Sequence, residues 1–233
     1  MLPQVVKLKG IALDFFFPRW CVGCGREGSF ICDSCRRLLP RLSPPVCPRC
    51  GKPQPSGILC PSCIGRQVQI DGIRSPFRFD SVIRQAIHQL KYQNLRALAA
   101  PLAKLMSDYL ASNPLPGEIL VPVPLHRKRL RERGYNQSSL LAKELGSITK
   151  LPVTDDCLVR RRYTPPQART TTVDERHSNV LDAFACRDQR LKGKEALLID
   201  DVSTSGATLN ACAAALKASG ATTVWGLVLA REV

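Results

Sequence analysis

The feature that most constrains the fold of this chain is a set of four C-x-x-C pairs, which hold eight of its eleven cysteines between residues 21 and 63. Two such pairs at short spacing supply the four thiolates that bind one tetrahedral Zn²⁺ ion. The stretch is rich in proline and glycine and poor in large apolar side chains, so bound metal must supply much of its stability. The sequence therefore predicts about two structural Zn²⁺ ions. The predicted ligands are Cys21, Cys24, Cys32, Cys35, Cys47, Cys50, Cys60 and Cys63.

The order of the pairs repeats along the chain. The first pair recurs 26 residues later and the second pair 28 residues later, and Gly25 and Gly51 follow the leading pair of each copy. An internal repeat of this kind indicates two copies of one unit, with one metal ion in each. A cross-braced arrangement, in which the two copies share ligands, stays open at this stage. Disulfide bonds and iron–sulfur clusters are disfavoured, because the sequence shows no secretory signal and because cluster-binding cysteines have other spacings.

The composition favours a soluble globular protein with an anionic partner. The chain has 233 residues, 44% of them hydrophobic and 23% charged, so it can bury a core and is not disordered as a whole. No apolar run reaches the ~20 residues of a membrane span, and we expect a cytoplasmic protein. The formal net charge is +15, and two zinc–tetrathiolate sites would lower it to about +11. This charge favours nucleic acid, phosphorylated small molecules or an anionic membrane surface as partner, against the alternative of a merely basic surface.

Three regions are predicted from these patterns. Residues 1–18 form a short apolar lead-in, residues 19–66 form the zinc module, and residues 70–233 form a domain in which strands and helices alternate. The alternation predicts an α/β fold with a parallel sheet and ligands at the carboxyl ends of its strands. Strands are expected within 70–80 and at 118–124, 154–159, 197–199 and 224–229. Helices are expected from 81 to about 110 with a break near Asn94, at 136–145 with an end near Gly146, and at 208–219.

The sharpest motif follows the strand at 197–199. Asp200 and Asp201 end this strand, and a turn of hydroxyl residues with one glycine leads into the next helix. Backbone N–H groups, hydroxyls and the helix N-terminus can surround one phosphate group, and Gly206 lets the backbone come close to it. The two carboxylates would repel that phosphate, so they suit ribose hydroxyls and a Mg²⁺-bound ligand instead. The predicted phosphate-binding residues are Ser203, Thr204, Ser205, Gly206, Ala207 and Thr208.

This loop resembles the phosphoribosyl pyrophosphate (PRPP) loop of type I phosphoribosyltransferases. Residues 121–137 add a strand, a basic turn and the start of a helix. With the cysteine pairs, these segments resemble, over nearly the whole chain, the ComF family of competence proteins, which join a double zinc ribbon to a phosphoribosyltransferase-like domain. The resemblance implies a PRPP ligand with Mg²⁺, catalytic carboxylates at Asp200 and Asp201, and a pyrophosphate-binding turn, for which a solvated basic helix end is the alternative. The turn residues are Leu125, His126, Arg127 and Lys128.

The resemblance also implies a mobile loop that closes over PRPP, which here falls within residues 164–180. Such a lid excludes water and brings cations to the leaving pyrophosphate, so Arg176 joins the two carboxylates as a candidate catalytic residue. A disordered surface loop is the alternative for this segment. Lys91 and Tyr92 match a similar Lys–aromatic pair in the family and are weaker site candidates. The other candidates in the mobile loop are Gln167, Arg169 and Asn179.

Three functions remain open on the sequence alone. In the first, the protein is an enzyme that transfers a phosphoribosyl group to a nitrogen nucleophile, which the sequence does not identify. In the second, implied by the family, the phosphate loop and basic residues bind single-stranded DNA during DNA uptake in natural transformation. In the third, the protein is a zinc-dependent scaffold for helicase or recombination proteins. The residues predicted to contact nucleic acid are Arg127, Lys128, Arg129, Arg131 and Arg133.

Overall fold

A computed structural model describes residues 19–162 and 183–233 of the chain. The predicted lead-in, residues 1–18, lies outside the described residues. The strands are β1 (Gly72–Arg74), β2 (Phe77–Arg78), β3 (Ile119–Pro122), β4 (Leu158–Arg160), β5 (Phe184–Cys186), β6 (Glu195–Ser203) and β7 (Thr223–Arg231). The helices are α1 (Asp33–Arg37), α2 (Ser81–Tyr92), α3 (Ala99–Ser112), α4 (Arg127–Arg133), α5 (Gln137–Thr149) and α6 (Ala207–Ala218), with a 3₁₀ turn at Arg96–Leu98.

Five strands form one parallel sheet in the order β1–β7–β6–β3, and β2 follows β1 along the same side of β7. Strands β4 and β5 form a separate antiparallel pair. The register places Pro122 beside Ile199 and Ser203 beside Arg231, so the carboxyl ends of β3, β6 and β7 meet at one edge. The predicted parallel α/β fold is therefore confirmed. This edge is where ligands bind in such sheets.

The central strands are buried on both faces. Leu197 and Ile199 of β6 pack in one core with α2, α3 and α5, whereas Leu198 packs in a second core with α6 and the β4–β5 pair. Strands covered on both sides are apolar throughout, which accounts for the unbroken apolar run that leads to Asp200. The two acidic residues near the carboxyl end of β6 are thus held by a rigid, buried support.

Two helix boundaries show where the sequence pattern was informative and where it was not. The helical segment breaks as predicted, since α2 ends at Tyr92 and Asn94 takes a left-handed conformation with φ 54°. The predicted end of α5 near Gly146 is wrong, because the helix continues to Thr149. A Cβ atom at Gly146 would lie 2.6 Å from Cγ2 of Val153, so this glycine permits close packing and does not end the helix.

The predicted basic turn after β3 is in part a helix. Only Leu125 and His126 remain in the turn, and α4 begins at Arg127. The Nδ1 atom of His126 accepts a hydrogen bond from the backbone N–H of Lys128 at 3.2 Å and so caps the helix. Gly134 ends α4 with φ 79°, a conformation that glycine adopts without strain. The strand pair β4–β5 gains its second strand from residues for which the sequence predicted none.

Candidate functional site

The eight cysteines form two groups of four, and the Sγ atoms of each group lie within 4.8 Å of one another. The Sγ atoms of Cys24 and Cys32 are 3.6 Å apart in the first group, and those of Cys50 and Cys60 are 3.6 Å apart in the second. These separations suit four thiolates around a Zn²⁺ ion with Zn–S bonds of about 2.3 Å. Each group takes its ligands from consecutive pairs, so the sequential arrangement is confirmed and the cross-braced alternative is wrong. Thiolate sulfur is the donor that structural zinc sites use, and the residues therefore fit two Zn²⁺ ions.

The two groups are built in the same way. In each, the backbone N–H of the third cysteine donates to Sγ of the first at 3.4 Å. Gly25 and Gly51 follow the leading pairs with φ 70° and 72°, and this left-handed conformation turns the chain around the sulfur atoms. The β-bridge between Trp20 and Glu27 recurs 26 residues further on in the second copy. The sequence repeat is therefore a structural repeat.

A buried pair of carboxylates lies in the carboxyl-terminal half of β6. The strand continues past Asp200 and Asp201 to Ser203, so the prediction that these two residues end it is wrong. Asp200 Oδ1 accepts hydrogen bonds from Ser138 Oγ at 2.7 Å and from the backbone N–H of Asp201 at 2.9 Å. Asp201 Oδ1 forms an ion pair with Lys91 Nζ at 2.8 Å, whereas its buried Oδ2 has no hydrogen-bond partner among the described residues. Burial, with the adjacent charge of Asp201, raises the pKa of Asp200 to about 7. The pair can accept hydrogen bonds from a ligand that carries hydroxyl groups.

The predicted phosphate loop connects this pair to α6. Gly206 has φ 81° and occupies the N-cap position of the helix, while Thr204 and Ser205 are exposed. Ser203 is different, because it is buried and its hydroxyl accepts a hydrogen bond from Arg231 at 3.3 Å. The N–H of Ala207 donates to Ser205 Oγ at 3.3 Å, so the exposed hydroxyls and the N–H groups that follow Ala207 are the donors that can bind an anion. The remaining predicted phosphate residues, Ala207 and Thr208, are half-buried at the start of α6.

The five basic residues predicted to contact nucleic acid all lie on α4, where none is buried. Arg127 lines a cavity of about 700 Å³ together with residues of the β4–β5 pair, such as Arg160. Arg129 and Arg133 line a second cavity of about 630 Å³. We call the second cavity the Tyr92 groove. Its lining residues are Lys91, Tyr92, Asn94, Arg96, Arg129, Glu132, Arg133 and Tyr135.

The Tyr92 groove combines positive charge with aromatic rings. The side chain of Tyr92 is exposed, and the guanidinium carbon of Arg133 lies 5.4 Å from the centre of its ring. Arg96 lies in the same way 4.5 Å from the ring centre of Tyr135. Lys91 therefore connects two features, since it lines the groove and also holds Asp201.

The sequence analysis did not identify two residues that contact the candidate site, Ser138 and Arg231. Ser138 lies 62 residues before Asp200 along the chain and meets it only because α5 packs beside β6. No signal in the sequence indicates that contact. Arg231 carried a signal that could have been used, because a charged residue at the end of a long apolar run is unusual. In the structure it is the last residue of β7 and is 1% exposed.

Some predicted residues lie outside the described part of the chain. These are the candidates of the mobile loop, so their roles stay predictions. Within residues 19–162 and 183–233, no helix has the length and apolar character that crossing a bilayer requires. The mobile-loop candidates concerned are Gln167, Arg169, Arg176 and Asn179.

The sequence is similar to competence proteins from several bacteria. It is 28% identical to the competence protein ComFC of Bacillus subtilis over 197 residues, which cover 82% of this chain and 79% of the relative. It is 29% identical to competence protein F of Haemophilus influenzae over 234 residues, which cover 92% and 99%. It is 31% identical to the DNA utilization protein YhgH of Salmonella typhi over 211 residues, which cover 87% and 91%. The chain belongs to the ComF family.

Further similarities concern the two parts of this ComF-family chain separately. The family model of the double zinc ribbon domain matches residues 12–64, in agreement with the two groups of four cysteines. Among solved structures, the glutamine PRPP amidotransferase of B. subtilis matches with a TM-score of 0.38 and 16% identity, covering 56% of this chain and 26% of that chain. The purine phosphoribosyltransferase of Pyrococcus horikoshii matches with a TM-score of 0.34 and 14% identity, covering 56% and 80%.

Proposed function

We propose that the α/β domain of this ComF-family protein binds a ribose 5-phosphate group, as part of PRPP, at the carboxyl edge of the sheet. The observation that carries the proposal is the buried Oδ2 atom of Asp201, which has no partner among the described residues. A buried carboxylate oxygen is costly unless a donor reaches it, and ribose hydroxyls are such donors. The loop that follows offers exposed hydroxyls at Thr204 and Ser205 for the phosphate.

In this proposal each group has one task. Asp200 and Asp201 accept hydrogen bonds from the ribose hydroxyls, and Lys91 fixes Asp201 for that purpose. The exposed loop hydroxyls and the first N–H groups of α6 donate to the 5-phosphate, while Arg127 and Lys128 bind the pyrophosphate. Mg²⁺ fits beside the carboxylates because it prefers oxygen ligands and is usually bound with substrate phosphates. When bound, it would neutralise part of the diphosphate charge.

Calorimetry with ribose 5-phosphate tests this proposal directly. Asp201→Asn removes one carboxylate charge, and charged hydrogen bonds contribute about 1.5–3 kcal/mol, so affinity should fall roughly tenfold or more. Asp108→Asn is the matched control, because Asp108 is a surface residue of α3 that is paired with Arg36 and Lys104. If the wild-type protein shows no binding of ribose 5-phosphate or of PRPP with Mg²⁺ at millimolar concentration, the proposal is wrong.

We further propose that the protein handles single-stranded DNA in the cytoplasm during DNA uptake. The names of its relatives, competence protein F and DNA utilization protein, support this role. The Tyr92 groove has the chemistry that sequence-independent binding needs, since cations contact phosphates and an exposed ring stacks with a base. Two groups of reduced thiolates suit a reducing compartment such as the cytoplasm. Helicase or recombination proteins stay predicted partners.

Fluorescence anisotropy with a labelled oligothymidylate tests the DNA proposal. Replacing Arg129 and Arg133 with Gln should weaken binding and lower the salt dependence, by roughly 0.7 in log–log slope for each lost phosphate contact. Arg190→Gln is the control, because Arg190 is a surface arginine paired with Asp156 and Asp188. Equal salt slopes for the control and the groove variant would exclude the Tyr92 groove as the binding surface.

An active phosphoribosyltransferase is the alternative function. The cavity of about 700 Å³ beside the Leu125–Lys128 turn favours it, because it leaves room for an acceptor next to the proposed pyrophosphate site. The test is release of pyrophosphate from PRPP and Mg²⁺ in the presence of ammonium and of purine and pyrimidine bases. Release that depends on one acceptor and disappears in Asp200→Asn would establish the enzyme. A protein that binds PRPP and releases no pyrophosphate would be a binding protein.

A further inference from the structure

Arg231 is a buried cation in direct contact with the phosphate loop. It ends β7 opposite Ser203, and only 1% of it is exposed. Its guanidinium donates to Ser203 Oγ at 3.3 Å and to the carbonyl oxygen of Thr204 at 3.2 Å, while its Nε atom has no partner among the described residues. No carboxylate of residues 19–162 or 183–233 forms an ion pair with it. A buried guanidinium needs a counter-charge, and the loop contacts supply only neutral oxygens.

The second zinc ribbon lies next to this loop. The carbonyl oxygen of Arg49 accepts a hydrogen bond from the N–H of Ile73 at 2.8 Å, which attaches the ribbon to β1. A Cβ atom at Gly51 would lie 2.5 Å from the carbonyl oxygen of Ile73, so the ribbon backbone approaches the strand closely. Cys50 and Cys63 line the same small cavity as Ser205 and Gly206 of the loop. This small cavity therefore lies between the second metal site and the phosphate loop.

The charges of Arg231 and of the second cysteine group are of opposite sign and influence each other. Burial lowers the pKa of Arg231, and the thiolates of the second group, Cys50 first among them, act in the opposite direction. Four thiolates with one Zn²⁺ carry a formal charge of −2, which is a suitable counter-charge for a buried guanidinium. The first ribbon packs elsewhere, because a Cβ atom at Gly23 would meet the side chain of Val82 in α2.

We infer that Arg231 is a positioning residue that couples the second zinc site to the phosphate loop, with the anionic zinc–tetrathiolate as its buried counter-charge. The inference rests on the proposed function of that loop. The two ribbons, which share the same arrangement of four cysteines, would then have different roles. The first ribbon is structural, whereas the second ribbon also holds the ligand-binding loop in place through Arg231.

Matched ribbon variants test the inference with ribose 5-phosphate as the probe. Replacing Cys47 and Cys50 with Ser should weaken binding roughly tenfold, the size of one lost charged hydrogen bond. The same replacement of Cys21 and Cys24, their counterparts in the repeat, should leave the affinity unchanged. Metal analysis should find one zinc per chain in both variants. Equal affinities in the two variants would overturn the inference, whereas a wild-type protein that does not bind the probe would overturn the proposed function instead.

A second measurement separates positioning from loss of fold. Coupling is reciprocal, so ribose 5-phosphate should slow the release of one of the two zinc ions to a chromogenic chelator. Arg231→Met should retain two zinc ions but lose this protection, and Arg231→Lys, which keeps the charge, should restore part of it. If the probe protects the zinc equally in the wild type and in Arg231→Met, Arg231 does not carry the coupling and the inference fails.

Discussion

The zinc ribbons and the α/β domain reach ordered structures by opposite routes. All eight metal ligands lie within residues 21–63, and each site is completed by cysteines close in sequence. The site at the edge of the sheet instead joins Ser138 to Asp200 across 62 residues. A local site can be derived from spacing, whereas a dispersed site depends on how the whole domain packs.

The two regions also differ in what stabilises them. The α/β domain has two apolar cores, one on each face of its sheet. The buried centre of each ribbon consists mainly of its own cysteines. Metal binding therefore substitutes for apolar burial in the ribbons, and the two regions should respond differently to the same perturbation.

Removal of zinc should produce the largest difference between the regions. Structural zinc contributes about 10–16 kcal/mol per site in zinc-finger peptides, so a chelator should unfold residues 19–66 while β6 and β7 stay folded. Hydrogen exchange followed by mass spectrometry measures both regions in one sample. The first ribbon should lose protection before the second, because Cys24 is exposed and the second group is buried throughout. Simultaneous loss of protection in the ribbons and in the sheet would contradict the comparison.

Equivalent glycines in the two ribbons test how each ribbon packs on the α/β domain. Gly25 and Gly51 both have left-handed φ, so replacement by Ala costs about 1–2 kcal/mol at either position. A Cβ atom meets nothing within 4 Å at Gly25 but lies 2.5 Å from the Ile73 carbonyl oxygen at Gly51. The Gly51 variant should therefore lose roughly 1–3 kcal/mol more. Urea unfolding in excess zinc measures the difference, and equal losses would show that the second ribbon does not pack tightly on β1.

The sequence predicted the zinc ligands, the parallel sheet and the position of the acidic pair, because each follows from a local pattern. It did not predict the contacts of Ser138 and Arg231, which arise only once α5 lies beside β6 and β7 ends opposite Ser203. Gly146 is a residue whose role the sequence pattern predicted wrongly. A glycine that ends a helix and one that permits close packing look the same in a sequence, and only the contact with Val153 distinguishes them.

Within the α/β domain, the ion pair between Lys91 and Asp201 should have the largest effect of a single side chain. Lys91→Met leaves a buried carboxylate without its cation, which costs about 3–5 kcal/mol in comparable pairs. The double variant Lys91→Met with Asp201→Asn should recover most of that loss, because no buried charge remains. Urea unfolding of the two single variants and the double variant forms a complete mutant cycle. If the losses of unfolding free energy in the two single variants add up to the loss in the double variant, the ion pair contributes nothing to the stability of the fold.

The smallest expected effect concerns the protonation of Asp200. Burial and the charge of Asp201 raise the pKa of Asp200 to about 7, whereas an unfolded chain releases this proton near pH 4, the ordinary range of Asp. Between these values the folded state binds more protons than the unfolded state, so the free energy of unfolding falls as the pH rises and becomes level above about pH 8. Asp200→Asn keeps the acceptor oxygen for Ser138 and removes the titration.

The variant should therefore gain stability relative to the wild type between about pH 5.5 and pH 7, by about 1–2 kcal/mol, and little more above about pH 8. Urea unfolding at constant excess zinc measures this difference in the free energy of unfolding. Any effect of pH on the ribbons cancels, because the wild type and the variant contain the same ribbons. Asp188→Asn is the control, because hydrogen bonds from Arg190 lower the pKa of Asp188, so its ionisation is complete below this window. Parallel stability curves for the wild type and Asp200→Asn would show that Asp200 is ionised throughout. The carboxylate pair would then carry its full charge before any ligand or metal ion binds.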